Sequence, residues 1–432
     1  GELVLKLSAQ AADSVSSSIP TEPLRGLAVG LASTFGIPEL DDVLRRFGAR
    51  CLSQVHPPRP VIPDPSRGDA AVLAGTYRVR LDPEADLRQV VASLSRIDAV
   101  RHVEPNRWRE ATVIPNDPSF TAQWGLARIR APEAWVRTTG SADVIVAAVD
   151  TGVDLNHVEL RPLLLPGRDL VDLAGTSPPP GTHFEGDWTI RDNGPQDEVG
   201  HGTHVAGTIA CATNNMFGVA GVTWSCRLLP VKVLTRVVEN DPPRQVRGIG
   251  SAVDIAAGIR WAVDRGAHII NLSLGGGSDT FVERDAVTYA VGRGVVVVAA
   301  MGNDGSSIPS YPAAYPGVIA VGATDQSDRR APFSNTGAHI DVSAPGVQVL
   351  STAPDNALAV LSGTSMASPH VAGVAALIRS ADRSLTSDQV GAILRQTARP
   401  LRDQPEDAVP NERYGAGLVD AAAAVARAWR TR

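Results

Sequence analysis

One serine in this chain stands where a hydroxyl can act as a nucleophile. The run Gly363-Thr364-Ser365-Met366-Ala367-Ser368-Pro369-His370 leads into an apolar, helix-like stretch over 371–379, so Ser365 falls at a tight loop-to-helix junction. Its backbone N–H there has no intrahelical partner, and the positive end of the helix favours the negative charge that develops on an incoming carbonyl oxygen. Such a serine needs a base. Gly200-His201-Gly202-Thr203-His204-Val205-Ala206-Gly207 offers one, with small residues keeping the backbone close and His201 opening a second helix. Residues 144–149 form a continuous apolar run, the pattern of a strand buried on both faces, and they lead into Asp150-Thr151-Gly152. That places a carboxylate at a strand's C-terminal end, the edge where doubly wound sheets bind ligands.

Singly, an Asp ending a strand or a His opening a helix is usually a cap or a satisfied polar group. In the order Asp150, His201, Ser365, however, the three segments resemble the subtilisin-like serine proteases, the subtilases, over about residues 115–428. A fourth segment matches too: 295–300 reads as a strand leading into Met301-Gly302-Asn303-Asp304-Gly305. The resemblance implies an acyl-enzyme mechanism in which Ser365 attacks, His201 takes and returns the proton, Asp150 fixes the imidazole and Asn303 donates to the oxyanion. His204, Asp154, His157 and His370 read as structural.

The family binds its substrate as an added strand between two backbone segments. Here those match Gly248-Ile249-Gly250 and Leu274-Gly275-Gly276, whose glycines permit close approach. The pocket for the residue before the scissile bond is expected to be walled by Ala300, Met301 and Gly302, with Ser310 near its base and Asp304 at its rim. The resemblance also implies a structural calcium held by Asp117, Glu159 and Asn215 with carbonyls of Thr213, Phe217 and Val219, a set of oxygens suited to a hard cation. It implies no catalytic cofactor. Two stretches exceed the compact family pattern, one between Asp150 and His201 and one over 235–247; they read as surface loops or as elements that narrow the cleft.

Composition agrees with a mid-sized enzyme. The chain has 432 residues, a formal charge of -6 and no apolar run long enough to span a bilayer, which argues against nucleic acid and membrane partners. Cys51, Cys211 and Cys226 make no disulfide framework; Cys211 and Cys226 flank a short loop, and free buried thiols are the favoured reading. No signal peptide is legible, although a start at Gly1 rather than Met is compatible with a removed leader. A secreted or cell-envelope monomer is the expectation, with the cytoplasm left open.

The chain is expected to divide into a domain over 1–112 and a catalytic domain over 113–432. The first parses as strand 2–7, helix 37–47, strand 50–55, strand 76–81, helix 86–95 and strand 100–104, a βαββαβ, ferredoxin-like α+β plan, with 8–36 unassigned. Its ending, Val100-Arg101-His102-Val103-Glu104-Pro105-Asn106, looks like the close of a subtilase propeptide, which would make it an intramolecular inhibitor and the chain a zymogen. From residue 144 onward, apolar strand runs alternate with helical stretches, which predicts an α/β fold with a doubly wound parallel sheet. The expected function is a serine endopeptidase acting on peptides or proteins; the alternatives are a transpeptidase or cyclase on the same fold and a catalytically silent binding protein.

Overall fold

Apolar runs without alternation form the centre of the larger unit, because their strands are covered on both faces. The computed structural model describes residues 2–15, 34–55, 75–106 and 112–430, and the chain separates into the units Gly1–Glu110 and Ala111–Arg432. In the second unit, the strands Val342–Pro345, Val318–Thr324, Val296–Ala300, Ile269–Leu272, Ile145–Asp150, Arg227–Lys232 and Arg168–Asp169 lie side by side in that order, and every pairing is parallel. The chain builds outward from Ile145–Asp150 in one direction and then returns to build in the other. Asp150 therefore ends a strand at the point where the strand order reverses, where the crevice of a doubly wound sheet opens.

Alternate residues of these strands serve two cores. Val146, Ala148, Val296 and Val298 pack under the helices His201–Ile209, Thr364–Ala381 and Ala421–Trp429, while Ala147, Val149, Val297 and Ala299 pack under Ala252–Asp264 and Phe281–Gly292. The helix that begins beside Ser365 is the central one, and nearly every one of its side chains is buried. The two stretches that exceed the compact pattern are not separate loops. Thr182–Glu185 pairs antiparallel with Thr235–Glu239, which pairs antiparallel with Val246–Ile249, giving a three-stranded sheet with Val246–Ile249 at its edge.

The first unit is an antiparallel sheet in the order Cys51–Gln54, Thr76–Arg80, Glu2–Leu7, Val100–Pro105, with the helices Pro38–Arg46 and Leu87–Leu94. The alternation of Glu2–Leu7 puts Leu3, Leu5 and Leu7 into its core with Leu40, Leu44, Val90 and Leu94. Asp86 caps its helix by accepting from the Arg88 N–H at 2.9 Å. The unassigned stretch holds one short helix, Ala9–Val15; residues 16–33 and the tail over 107–111 lie outside the described residues.

All three cysteines are buried free thiols. Burial pushes Cys211 and Cys226 up in pKa, which keeps them as inert thiols. Among the described residues no helix is long and apolar enough to cross a membrane.

Candidate active site

The site begins with a close approach that only glycine allows. A Cβ on Gly202 would lie 2.1 Å from the Gly152 carbonyl oxygen, so the His201 helix meets the end of the Asp150 strand at backbone contact. His201 Nδ1 consequently lies 2.6 Å from Asp150 Oδ1, which also accepts from the Thr151 N–H at 2.8 Å. Asp150 is fully buried, and its Oδ2 has no hydrogen-bond partner. Among the described residues the carboxylate thus faces the imidazole as an acceptor with no competing cation.

Asp197, which the motifs did not single out, holds this arrangement together. Its carboxylate accepts five hydrogen bonds: Oδ1 from Thr151 Oγ1 (2.8 Å) and from the N–H groups of Val199 and Gly200 (2.9 Å each), and Oδ2 from the Thr203 N–H (2.8 Å) and Oγ1 (2.6 Å). It is 4% exposed and sits at the N-terminus of the His201 helix, where a negative charge is favoured. Burial pulls the His201 pKa down, but the charge and hydrogen bond of Asp150, with the charge of Asp197, outweigh it and the net direction is upward.

Ser365 is the second residue of Thr364–Ala381. Pro369, four residues on, has no N–H to give to the Ser365 carbonyl, and the Ser273 hydroxyl donates to that oxygen instead at 2.8 Å. The Ser365 hydroxyl in turn donates to the Ser273 carbonyl at 3.2 Å, and no hydrogen bond joins it to His201 in this structure. Such contacts commonly tighten only when substrate is bound. Asn303 is oriented by the residue before the serine: its Oδ1 accepts from the Thr364 N–H (2.8 Å) and Oγ1 (2.9 Å), which leaves its NH2 as the available donor. Thr364 Oγ1 also accepts from the Gly302 N–H at 3.1 Å. No sequence pattern marked Thr364 or Ser273 for these roles.

A cleft of about 890 Å³ is lined by His201, Ser365, Asn303, Gly248, Gly250, Leu274, Gly275 and Gly276, and a neighbouring pocket of about 450 Å³ by Ala300, Gly302, Asp304, Ser310 and Asn335. Met301, expected in that pocket wall, is a correction. It is fully buried in the core under the sheet, because it continues the alternation of Val296–Ala300 on the face opposite to Ala300. Two of the cleft glycines also serve the fold. A Cβ on Gly250 would lie 2.1 Å from the Val233 carbonyl oxygen, so this glycine fits the edge against its own sheet. Gly276 exchanges both backbone hydrogen bonds with Tyr311 (2.9 and 2.8 Å), which anchors its segment beside the cleft that it lines.

The loop proposed for a cation is ordered around two carboxylates. Asp117 accepts from the N–H groups of Asn214 (2.8 Å) and Asn215 (3.1 Å), and Asn215 donates its amide to Glu159 Oε1 at 3.3 Å. Glu159 is fully buried, its Oε2 has no partner, and burial, against the Asn215 bond and with help from Asp117, pushes its pKa up to about 7. The carbonyls of Gly218 and Ala220 are taken by Ser119 N–H and Gln123 Nε2, while those of Phe217, Val219 and Thr213 accept no hydrogen bond among the described residues. No cluster of three His, Cys, Asp or Glu side chains stands there or elsewhere among the described residues.

Comparison with known proteins covers the same region. Residues 141–417 match the model of the subtilase family. Thermitase from Thermoactinomyces vulgaris is 43% identical over 66% of this chain and 91% of its own length, and subtilisin Savinase from Lederbergia lenta is 43% identical over 70% and 97%. A solved structure described as proteases from Pseudoalteromonas arctica superposes with a TM-score of 0.64 at 36% identity, covering 73% of this chain and all of that one.

The electrostatics of His201 can be tested directly. Replacing Asp197 by Asn removes one of the charges that raise the imidazole pKa, so the midpoint, above 6.5 in the parent, is expected to move down when followed by NMR of the His201 ring protons. An unmoved midpoint would leave Asp150 as the sole cause.

Proposed function

The chain belongs to the subtilase family and is a serine endopeptidase, and on that premise we propose which of its residues carry the reaction. Ser365 Oγ is the nucleophile toward the scissile carbonyl. His201 Nε2 takes the hydroxyl proton and then gives it to the leaving amine, while Asp150, bonded to Nδ1, holds the tautomer and stabilises the imidazolium. The Ser365 N–H at the start of its helix and the Asn303 amide hold the oxyanion. Water then releases the acyl group with His201 again as base. The observation that carries this reading is the 2.6 Å Asp150–His201 hydrogen bond in one cleft with Ser365 and with an asparagine whose carbonyl is already taken by Thr364. Nothing favours the transpeptidase or silent-protein alternatives.

The peptide enters as an added strand. Val246–Ile249 is an edge strand, paired on one side only, and it faces the cleft opposite Leu274 and Gly275. The side chain before the scissile bond enters the pocket of Ala300, Gly302 and Ser310. Ser365→Ala is expected to abolish turnover while the fold persists, and Asn303→Ala to lower kcat by about 100- to 1000-fold with KM little changed, as when one of two oxyanion donors is lost. Steady-state kinetics on one peptide decides this, and full activity in Ser365→Ala would overturn the assignment.

Calcium binding is typical of this family, without a catalytic cofactor. Here Asp117, Glu159 and Asn215 with the carbonyls of Thr213, Phe217 and Val219 would hold it, and the ion would supply charge that a buried Glu159 lacks. Supporting this are the unpartnered Glu159 Oε2 and the alternation of free and engaged carbonyls over 217–220. A cation bound only by the folded chain raises Tm by mass action. In a Ser365→Ala background, millimolar calcium is expected to raise Tm relative to excess EDTA, and Glu159→Gln to remove most of the difference; equal melting temperatures would remove the assignment.

The unit Gly1–Glu110 is read as the intramolecular inhibitor and folding aid of a zymogen, and the active protein as a secreted or cell-envelope monomer. Support for the inhibitor comes from chain order: a separate α+β unit precedes, in sequence, the unit that carries the cleft. A parallel sheet drawn from distant segments loses loop-closure entropy before its contacts form, which gives a preformed partner a role in folding. N-terminal sequencing of active protein is expected to show a new end between about residues 109 and 118, with Ser365→Ala remaining full length. A single intact, fully active chain would make the unit an accessory domain.

A further inference from the structure

The cleft that holds His201 and Ser365 is also lined by Ala252, Ile255, Leu274, Thr280, Tyr311 and, among the described residues, a single carboxylate, that of Glu283. Glu283 lies in the first turn of Phe281–Gly292 and is only 7% exposed. Among the described residues it forms no ion pair, and its helix neighbour Arg284 is paired with Asp279. Nor does the helix use it as a cap. Thr280 and Glu283 have the spacing of a capping box, but the Thr280 N–H donates to the Tyr315 hydroxyl at 3.0 Å and the Thr280 side chain makes no capping bond. Burial pushes the Glu283 pKa up, the Thr280 hydroxyl opposes this and Asp279 adds to it. A buried acid without a paired cation is costly to keep charged, and its place in the lining makes the cleft the side from which a cation can reach it. Arg247, which lines the same cleft, is exposed on the edge strand and forms no ion pair among the described residues.

We propose that Glu283 makes its part of the cleft select a cationic side chain, Lys or Arg, on the acyl side of the scissile bond and beyond the residue that fills the first pocket. The inference rests on the peptidase reading above. Val246–Ile249 and the segment from Leu274 to Gly276 both line the cleft in which Glu283 sits, and the second of them also lines the first pocket, so an extended peptide lying between them delivers a side chain beyond the first pocket toward Glu283. The ammonium or guanidinium would pair with the Glu283 carboxylate while its aliphatic stem covers Ile255, Leu274 and Tyr311. Asp304 is a separate acid, in the first pocket.

The test is a set of quenched peptides sharing one residue before the scissile bond and carrying Arg, Lys, Leu or Glu, in turn, at the second, third and fourth residues before it. Wild type is expected to prefer Arg or Lys over Leu at one of these positions by about tenfold or more in kcat/KM. That ratio should fall to near one in Glu283→Gln and below one in Glu283→Leu. Absence of a cationic preference at all three positions, or a preference undiminished in both variants, overturns the assignment; should one variant fail to fold, the wild-type ratio and the other variant still decide. Failure of wild type to cleave any peptide of the set is a different result, which overturns the peptidase reading and this one with it.

Discussion

Contact between the end of one strand and the start of one helix is the constraint on which the site depends. Asp150 ends Ile145–Asp150 and His201 begins His201–Ile209, and their side chains can meet at 2.6 Å because Gly202 lets the helix backbone touch the loop after the strand. A methyl group there would have to displace a backbone carbonyl, which is among the least compressible neighbours a protein can offer. Burial of Asp150 then strengthens the pair: in a low dielectric the carboxylate and imidazolium interact more strongly than in water, and no other cation competes for the acid.

The helix bearing Ser365 is fitted to the same point by a different device. Pro369 removes one helical hydrogen bond, and Ser273 at the end of the neighbouring strand segment replaces it, so the serine's turn is pinned to the sheet through a side chain. Thr364 pins Asn303 in the same way. Ser365 and Asn303 are thus each held by a small polar residue from another segment, and those two residues are buried, which keeps water from competing for their hydrogen bonds.

The two long stretches join this framework from behind. Lys232, 1% exposed, places its ammonium 3.0 Å from Asp169 and 3.5 Å from Glu198 and donates to the Asp187 carbonyl at 2.9 Å. Burial pushes Asp169 up to about 6, with the Lys232 charge pulling against it. Glu198 accepts from the Asp187 N–H, and Arg236 donates to the Glu198 carbonyl at 2.7 Å. Since Glu198 follows Asp197, the sheet that carries the cleft edge and the segment leading to His201 share one linked set of charges, of which Lys232 and Asp169 are buried. Removing one member of a buried pair typically costs about 3–5 kcal/mol, because the other charge is left without compensation.

The sequence by itself determined the elements and the chemistry. Unbroken apolar runs read as doubly covered strands and periodic apolar residues as helices, while Asp150, His201, Asn303 and Ser365 stood out because their short motifs, taken together and in order, resemble those of the subtilases. Those signals are local, and the forces behind them, solvent exclusion and backbone geometry, act over a few residues. Tertiary structure alone decided what lies between distant segments. Asp197 and Thr364 are ordinary polar residues until the fold turns them toward His201 and Asn303. Met301 reads as pocket wall until strand alternation sends it into the core, and Glu283 carries no mark in the sequence until the fold places it in the lining of the cleft. The loops over 161–199 and 235–247 became one sheet for the same reason: hydrogen bonds between strands, unlike those within a helix, join residues that the chain itself keeps far apart.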